Sequence, residues 1–435
     1  MAFAEFVPRT ILKSMKLPAT TLAEAKLVLD RQRRALNPAA STEDKRLYVP
    51  READAHETLI TEAESAAVNK RPFRWFFTGH TGAGKSTELN RIIGDARVQR
   101  FYHPYLFSVR QHLDVSNLDF SDLILGIAKS VTTIATNEGV LIPKELQKRM
   151  AKWGAETEFE TEFAVTGEGK AGFEFDYWIG KATLEVQAGG EKRKTVREKL
   201  RESLTDFIKL IDGVVDAIRK NIKKKVLVVI DTLDHVDHLP VFEIFTNHWS
   251  SLSRPSVSLL IVLPLPLLHE PKFMAVADGL WSLLANIKVY TGPGTDELNV
   301  EGFEFFKQVI SHLAKLSLFE EDALEDLFRL SGGMIRDMIG FAGDACKFAA
   351  MENPAGKVQR RHVVRVLDER KAFFRKILTA SDYQVLEKVR KNPYPKGVDG
   401  IGPLLHLKAI IFYPNGEGWY GLNPAVAAIL DGPGH

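Results

Sequence analysis

Apolar positions recur along this chain in two rhythms, and the switches between them outline its elements. Leu22, Ala25 and Leu29 follow helical spacing until Asn37-Pro38 ends the run, and His56, Leu59, Ile60 and Ala63 mark another helix. A short aromatic strand, Arg74 to Thr78, precedes a glycine-rich stretch, after which Glu88 to Ile93 continues as a helix. A second strand, Tyr105 to Val109, leads to Phe120, Leu123, Ile124, Ile127, Val131 and Ile134. Their three- and four-residue spacing predicts an amphipathic helix with a core-facing stripe. Between Gly139 and Gly190 the rhythm changes: Phe159, Phe163 and Val165, then Phe173, Phe175 and Tyr177, then Leu184 and Val186 favour period two between glycines. This predicts a β insert over 139–190. A long helix with Leu200, Leu204, Phe207, Ile208, Ile211, Val215 and Ile218 on one stripe follows, and delivers the chain into the strand Val226 to Asp231.

The alternation continues with helix 241–252, strand 258–263, helix 272–285 and strand 287–290. A continuously apolar strand such as VLVVI is expected in a parallel sheet covered on both faces, so the fold class is α/β with three layers. Residues 301–378 read as helical. The tail has two helical segments and a hairpin, Ala409 to Tyr413 and Gly418 to Leu422, turning at Pro414-Asn415-Gly416-Glu417. The domains expected are a helical lead-in over 1–45, the sheet domain over 46–300 containing the β insert, a helical domain over 301–378 and a small C-terminal domain over 379–435.

Composition narrows the picture only slightly. With 45% hydrophobic and 26% charged residues the 435-residue chain is globular, and a net charge of +2 gives no chain-wide footprint for nucleic acid or anionic lipid. The single cysteine, Cys346, cannot form an internal disulfide, which favours a reducing compartment and a buried structural role. No signal-peptide pattern opens the sequence, and the longest apolar run, Ser258 to Leu268, is about half a membrane span and carries Pro264 and Pro266. A cytoplasmic protein with no membrane partner is expected.

The chemistry concentrates in Gly79-His80-Thr81-Gly82-Ala83-Gly84-Lys85-Ser86-Thr87, which satisfies G-x-x-x-x-G-K-[ST] between a strand and a helix. Glycines let backbone N–H groups curl around phosphates, Lys85 reaches the β- and γ-phosphates, and Ser86 is placed to ligate Mg²⁺. The start of the following helix adds its positive end to that anion site. The expected ligand is ATP with Mg²⁺. Asp231 ends the VLVVI strand, where a carboxylate would hold the metal. Asp234 is the leading general base for the attacking water and His235 the second; Asp231, Asp234, His235, Asp237 and His238 also invite a transition-metal reading, with a phosphate site or plain surface as the commoner outcome.

GHTGAGKST, VLVVIDTLDH and Ser331-Gly332-Gly333-Met334-Ile335-Arg336-Asp337 together resemble the P-loop ATPases of the AAA+ and STAND groups, in particular bacterial ones of antiphage defence or mobile elements. The resemblance spans roughly residues 45 to 435. It implies that Tyr48 and Val49, within Tyr48-Val49-Pro50-Arg51, hold the adenine. It also implies that 301–378 is a helical lid whose Arg336 senses the γ-phosphate, and that the tail is a winged helix with Trp419 and Tyr420 on its wing. The function implied is an ATP-driven switch with slow hydrolysis that assembles as a homo-oligomer or with a protein effector. The alternatives are a DNA-binding loader or transposition regulator, and a scaffold without turnover. Arg360-Arg361, Arg370-Lys371 and Lys388 to Lys391 would serve DNA, or equally a solvated or protein-docking face.

Three features depart from the AAA+ pattern. Thr232 follows Asp231 where those enzymes place a Glu, the strand from Ser258 ends in Pro264-Leu265 without a polar sensor, and no arginine lies between Pro264 and Thr291. Hydrolysis across a subunit boundary is therefore not expected. Lys85 and Asp231 also stand much further apart than the roughly 30 residues of a simple crossover. The surplus is the β insert and the long helix after it, whose basic start, Glu191 to Arg197, a phosphate- or carboxylate-bearing partner, or solvent alone, would satisfy.

Overall fold

A computed structural model describes residues 17–432 of the chain apart from 52–53, 157–171, 237, 396–398 and 415–417. The chain divides into two compact units, Asp54–Thr78 with Ile92–Leu283, and Met1–Ala53 with Gly79–Arg91 and Leu284–His435.

The first unit holds a five-stranded parallel sheet in the order β2-β3-β4-β1-β5: β1 (Arg74–Thr78), β2 (Tyr102–Ser108), β3 (Lys225–Asp231), β4 (Ser258–Leu263) and β5 (Trp281–Leu283). Register aligns Phe107, Ile230, Ile261, Phe76 and Trp281 in one cross-strand row. Helices Phe120–Asn137 and Leu204–Ile222 pack into the core built on this face, and Phe76 meets the rings of Phe245, Trp249 and Phe273 at 5.8, 4.8 and 5.3 Å. The alternate positions Trp75, Phe77, Leu227, Val229, Leu260 and Val262 are buried as well. Two covered faces explain why these strands read as unbroken apolar runs. Helix Asp54–Val68 joins the sheet by accepting hydrogen bonds from Tyr102 Oη at Ala63 O (2.8 Å) and from Lys225 Nζ at Ala66 O (3.2 Å).

Three expectations are corrected, the last of them in the second unit. The expected β insert has no strand among its described residues: it is helical over Lys144–Glu156 and Gly172–Ala188, and helix Gly190–Glu202 follows. Phe159, Phe163 and Val165 lie outside the described residues. The buried positions are Leu146, Met150 and Trp153, then Ile179, Ala182 and Val186, and both sets have helical spacing. Aromatic residues at alternate positions suggested a strand, but the buried stripe Ile179, Ala182 and Val186 has helical spacing. The expected helix 272–285 is shorter, Pro271–Ala277, because Asp278 turns left-handed (φ 42°) and frees Trp281–Leu283 to pair with β1. Residues 287–290 form no strand, only an isolated bridge from Tyr290 to Leu298.

The basic run at 191–197 has its carboxylates inside the chain. Arg193, Arg197 and Arg201, spaced at four residues along helix Gly190–Glu202, pair with Asp114 (2.7 Å), Asp122 (2.5 Å) and Asp119 (2.5 Å). Asp119 and Asp122 also form the capping box of helix Phe120–Asn137, so the ladder fixes where that helix begins.

In the second unit, helices Val300–Leu313, Glu321–Ser331, Ile335–Glu352 and Arg360–Ile377 enclose their own core. The N-terminal segment is more than a lead-in. Helix Leu22–Arg31 buries Leu22, Ala25, Val28 and Leu29 in that core, a Cβ on Gly343 would stand 3.2 Å from Leu29 Cβ, and Lys26 pairs with Asp344 at 2.8 Å. Cys346 is fully buried there, and burial pushes its thiol up to about 12. With the thiol protonated and shielded through pH 9, native protein is expected to react with a disulfide reagent at least about a hundredfold more slowly than protein in 6 M guanidinium. Absorbance of the released thiolate checks it, and equal rates would refute the burial.

The tail runs helix Ala380–Lys391, helix Ile401–His406, then the antiparallel pair β6 (Ile410–Tyr413) and β7 (Trp419–Leu422), followed by helix Pro424–Leu430. This is winged-helix order. The turn residues Asn415, Gly416 and Glu417 lie outside the described residues.

Candidate nucleotide-binding site

The loop leaves β1 at Gly79 and enters helix Lys85–Gly94. Gly82 and Gly84 adopt φ of 96° and 102°, which L side chains rarely allow, and Ala83 N–H donates back to His80 O at 3.0 Å. Lys85 is 4% exposed, and its Nζ donates to the carbonyls of Gly79 (2.8 Å) and His80 (3.0 Å). An ammonium held by loop carbonyls is a donor set that phosphate oxygens can take over, so the residues present suit a polyphosphate. Thr81 and Ser86 are half-buried, and Thr87 Oγ1 accepts from Leu36 N (3.1 Å), which ties the N-terminal segment to the helix start.

Lid and wing both reach this loop. Arg336 N–H, in the first turn of helix Ile335–Glu352, donates to Gly82 O (3.0 Å), and a Cβ on Gly82 would meet Arg336 Cβ at 3.1 Å. Asp337 pairs with Lys408 at 2.7 Å, not with Arg336. From the wing, Phe412 N–H in β6 donates to His80 Nε2 (2.8 Å), which requires an unprotonated Nε2. Tyr413 Oη donates to Gly332 O (3.2 Å), and Met334, Ile411, Tyr413 and Trp419 form one buried cluster. Trp419 is thus packed on Tyr413 (centroids 4.3 Å apart), and is not presented to a ligand.

On the expected adenine side, Tyr48 Oη donates to Glu88 Oε1 (3.0 Å) and accepts from Arg91 Nη1 (2.7 Å), whose guanidinium lies 4.7 Å over the ring. Burial, then the adjacent Glu88 charge, pushes the Tyr48 phenol up to about 12. Val49 is buried in the lid core. Arg51 Nη1 donates to Ala285 O (3.3 Å), while its buried Nη2 has no hydrogen-bond partner among the described residues. Sequence reading missed Glu88, Arg91 and Arg51 as one network, because its members come from two separated segments.

In the sheet unit, Asp231 closes β3 and is buried, as is Asp234 in the short turn Leu233–His235. Asp231 Oδ1 accepts from Thr232 N (2.7 Å), and Thr232 sits left-handed at φ 73° with its Oγ1 accepting from Arg110 N (3.1 Å). Threonine is a poor residue for that conformation, so the backbone here is strained. Asp237 lies outside the described residues, and no His/Cys/Asp/Glu cluster able to hold a metal occurs among the described ones.

The basic clusters are largely engaged within the chain. Arg360 pairs with Asp326 (2.7 Å), Arg361 with Glu352 (2.5 Å), Lys371 with Asp368 (2.6 Å) and Arg390 with Asp431 (2.5 Å), while Arg370 lies over the rings of Phe341, Phe373 and Phe374.

A parallel sheet, a glycine loop ending in a lysine at a helix start, a helical lid and a winged helix define a P-loop NTPase fold. No protein-family model matches the chain, and no curated protein matches it either. Among solved structures it is similar to the Aeropyrum pernix ORC1 protein in complex with DNA, at 14% identity over 91% of this chain and 96% of that one, TM-score 0.38. It is also similar to the Walker-type ATPase PABY2304 of Pyrococcus abyssi, at 14% identity over 93% and 99%, TM-score 0.40. The Thermotoga maritima RuvB Holliday junction branch migration motor matches at 12% identity over 87% and 93%, TM-score 0.33. Likeness at this level adds nothing to what the sheet and the loop establish. No helix among the described residues is long and apolar enough to cross a membrane.

Proposed function

We propose that the chain is an ATP-binding, slowly hydrolysing switch in which nucleotide on the phosphate loop repositions the lid and wing and so creates an assembly surface. What supports this reading is one observation: the same loop is gripped by the lid through Gly82 O and by the wing through His80 Nε2. A ligand that draws Lys85 off the Gly79 and His80 carbonyls changes the peptide that carries the wing's anchor. Differential contact of this kind is what lets a ligand shift a conformational equilibrium. Gly79 to Thr87 would hold the phosphates, Tyr48 and Val49 the base, Ser86 and Asp231 the Mg²⁺, Asp234 or His235 would position water, and Arg336 would sense the γ-phosphate. Bound Mg²⁺ would neutralise charge on the phosphate oxygens. Thr232 in place of an acid after Asp231 supports slow turnover. A homo-oligomer or a protein effector would use the assembly surface, and antiphage defence is the setting that the motif resemblance suggests.

Light scattering with and without ATP tests it: the expected result is a nucleotide-dependent rise in mass, and a mass unchanged by ATP in the wild type would end the proposal. Lys408→Asn removes the Asp337 partner while keeping a residue that tolerates the left-handed backbone of φ 60°. Loosening the wing should lower the ATP needed for assembly by about tenfold.

A DNA-handling ATPase is the second reading, favoured by the helix, helix, hairpin order of the tail. Its second helix, Ile401–His406, buries Ile401, Leu404 and Leu405 and carries no lysine or arginine. Groove reading by that helix would therefore lack its usual cations. Retention of duplex on filters at low salt, falling steeply with added salt, would reinstate it.

A further inference from the structure

Asn286 is a buried carboxamide that the fold leaves incomplete. It is 5% exposed, and neither Oδ1 nor Nδ2 has a hydrogen-bond partner among the described residues. Native proteins seldom bury both halves of an amide without something to complete them. Its neighbours fix its surroundings. Leu284 O stands 2.6 Å from where a Cβ on Gly79 would lie, at the first residue of the phosphate loop. Ala285 O accepts from Arg51, at the end of the segment expected to hold the base (3.3 Å). Ile287 N–H donates to Gly333 O in the lid turn (3.0 Å), so close that a side chain on Gly333 would strike the Ile287 carbonyl. Segment 284–287 is therefore stitched to loop, base segment and lid, with Asn286 at its middle.

A carboxamide offers one acceptor beside one donor. That pair complements the N6/N7 edge of adenine, where the exocyclic N–H donor adjoins the N7 acceptor, and it mismatches 6-oxopurines, which present two acceptors, O6 and N7, on that edge. We infer that Asn286 reads this edge, Oδ1 accepting from the exocyclic amine and Nδ2 donating to N7, and so sets a preference for ATP over 6-oxopurine triphosphates. The inference rests on the loop being a triphosphate site.

Calorimetric titration of the full chain with ATP and with inosine triphosphate, both with Mg²⁺, tests it. Wild type is expected to bind ATP about tenfold or more tightly than inosine triphosphate, and Asn286→Leu to bind the two about equally through loss of ATP affinity. Without nucleotide, Asn286→Leu should unfold at an unchanged or higher temperature, because an unpaired buried amide has been replaced by an apolar group of similar size. Should that variant not fold, Asn286→Ala is expected to show the same loss of discrimination. A variant that keeps the wild-type ratio, or a wild type that binds both nucleotides equally, overturns the inference while leaving the triphosphate site standing. Binding of neither nucleotide by wild type overturns the site itself.

Discussion

Lys85→Ala protein is expected to fold and to lose ATP affinity by about a hundredfold or more in calorimetry. The ammonium is buried and already poised on the Gly79 and His80 carbonyls, so phosphate oxygens would gain charge-assisted hydrogen bonds from it with little reordering. Two such bonds are worth roughly 3 kcal/mol or more together, which is about two decades in Kd. Stability should report the same loss, since a ligand that binds only the native state raises the unfolding temperature with concentration. Saturating ATP should shift wild type upward and leave the variant in place. Unchanged affinity in Lys85→Ala would refute the assignment of the loop.

Arg197→Ala is expected to produce the largest loss of stability. Its partner Asp122 is 1% exposed, and burial pushes that carboxyl up even though Arg197 pulls it down. Removing the guanidinium leaves an uncompensated carboxylate in the core, at a cost of about 3 kcal/mol. For a unit of this size the thermal midpoint of the sheet unit should fall by roughly 5–10 °C. Arg201→Ala is the internal comparison: Arg201 is 51% exposed, and loss of an exposed pair is worth about 1 kcal/mol at most. Equal effects of the two substitutions would show that burial does not govern the ladder.

Much of this was legible in the sequence because it is local. The phosphate loop needs φ values that glycine supplies, and Gly82 and Gly84 adopt them. The apolar run of β3 announced a sheet covered on both faces, and residues 301–378 read as helical. Reading failed where one residue type serves both rhythms. Phe173, Phe175 and Tyr177 alternate in sequence yet belong to helix Gly172–Ala188, whose burial stripe of Ile179, Ala182 and Val186 is set by packing.

The sequence by itself determined the loop, the strand alternation and the order of lid and wing, because backbone sterics and hydrophobic period act within a few residues. Only the tertiary structure decided that Asp114, Asp119 and Asp122 neutralise the Arg193 to Arg201 stripe, that Phe412 donates to His80, and that Asn286 lies between loop and lid. Charge pairing and burial depend on distance in space, and residues separated by as many as 332 positions meet here only after the chain has packed.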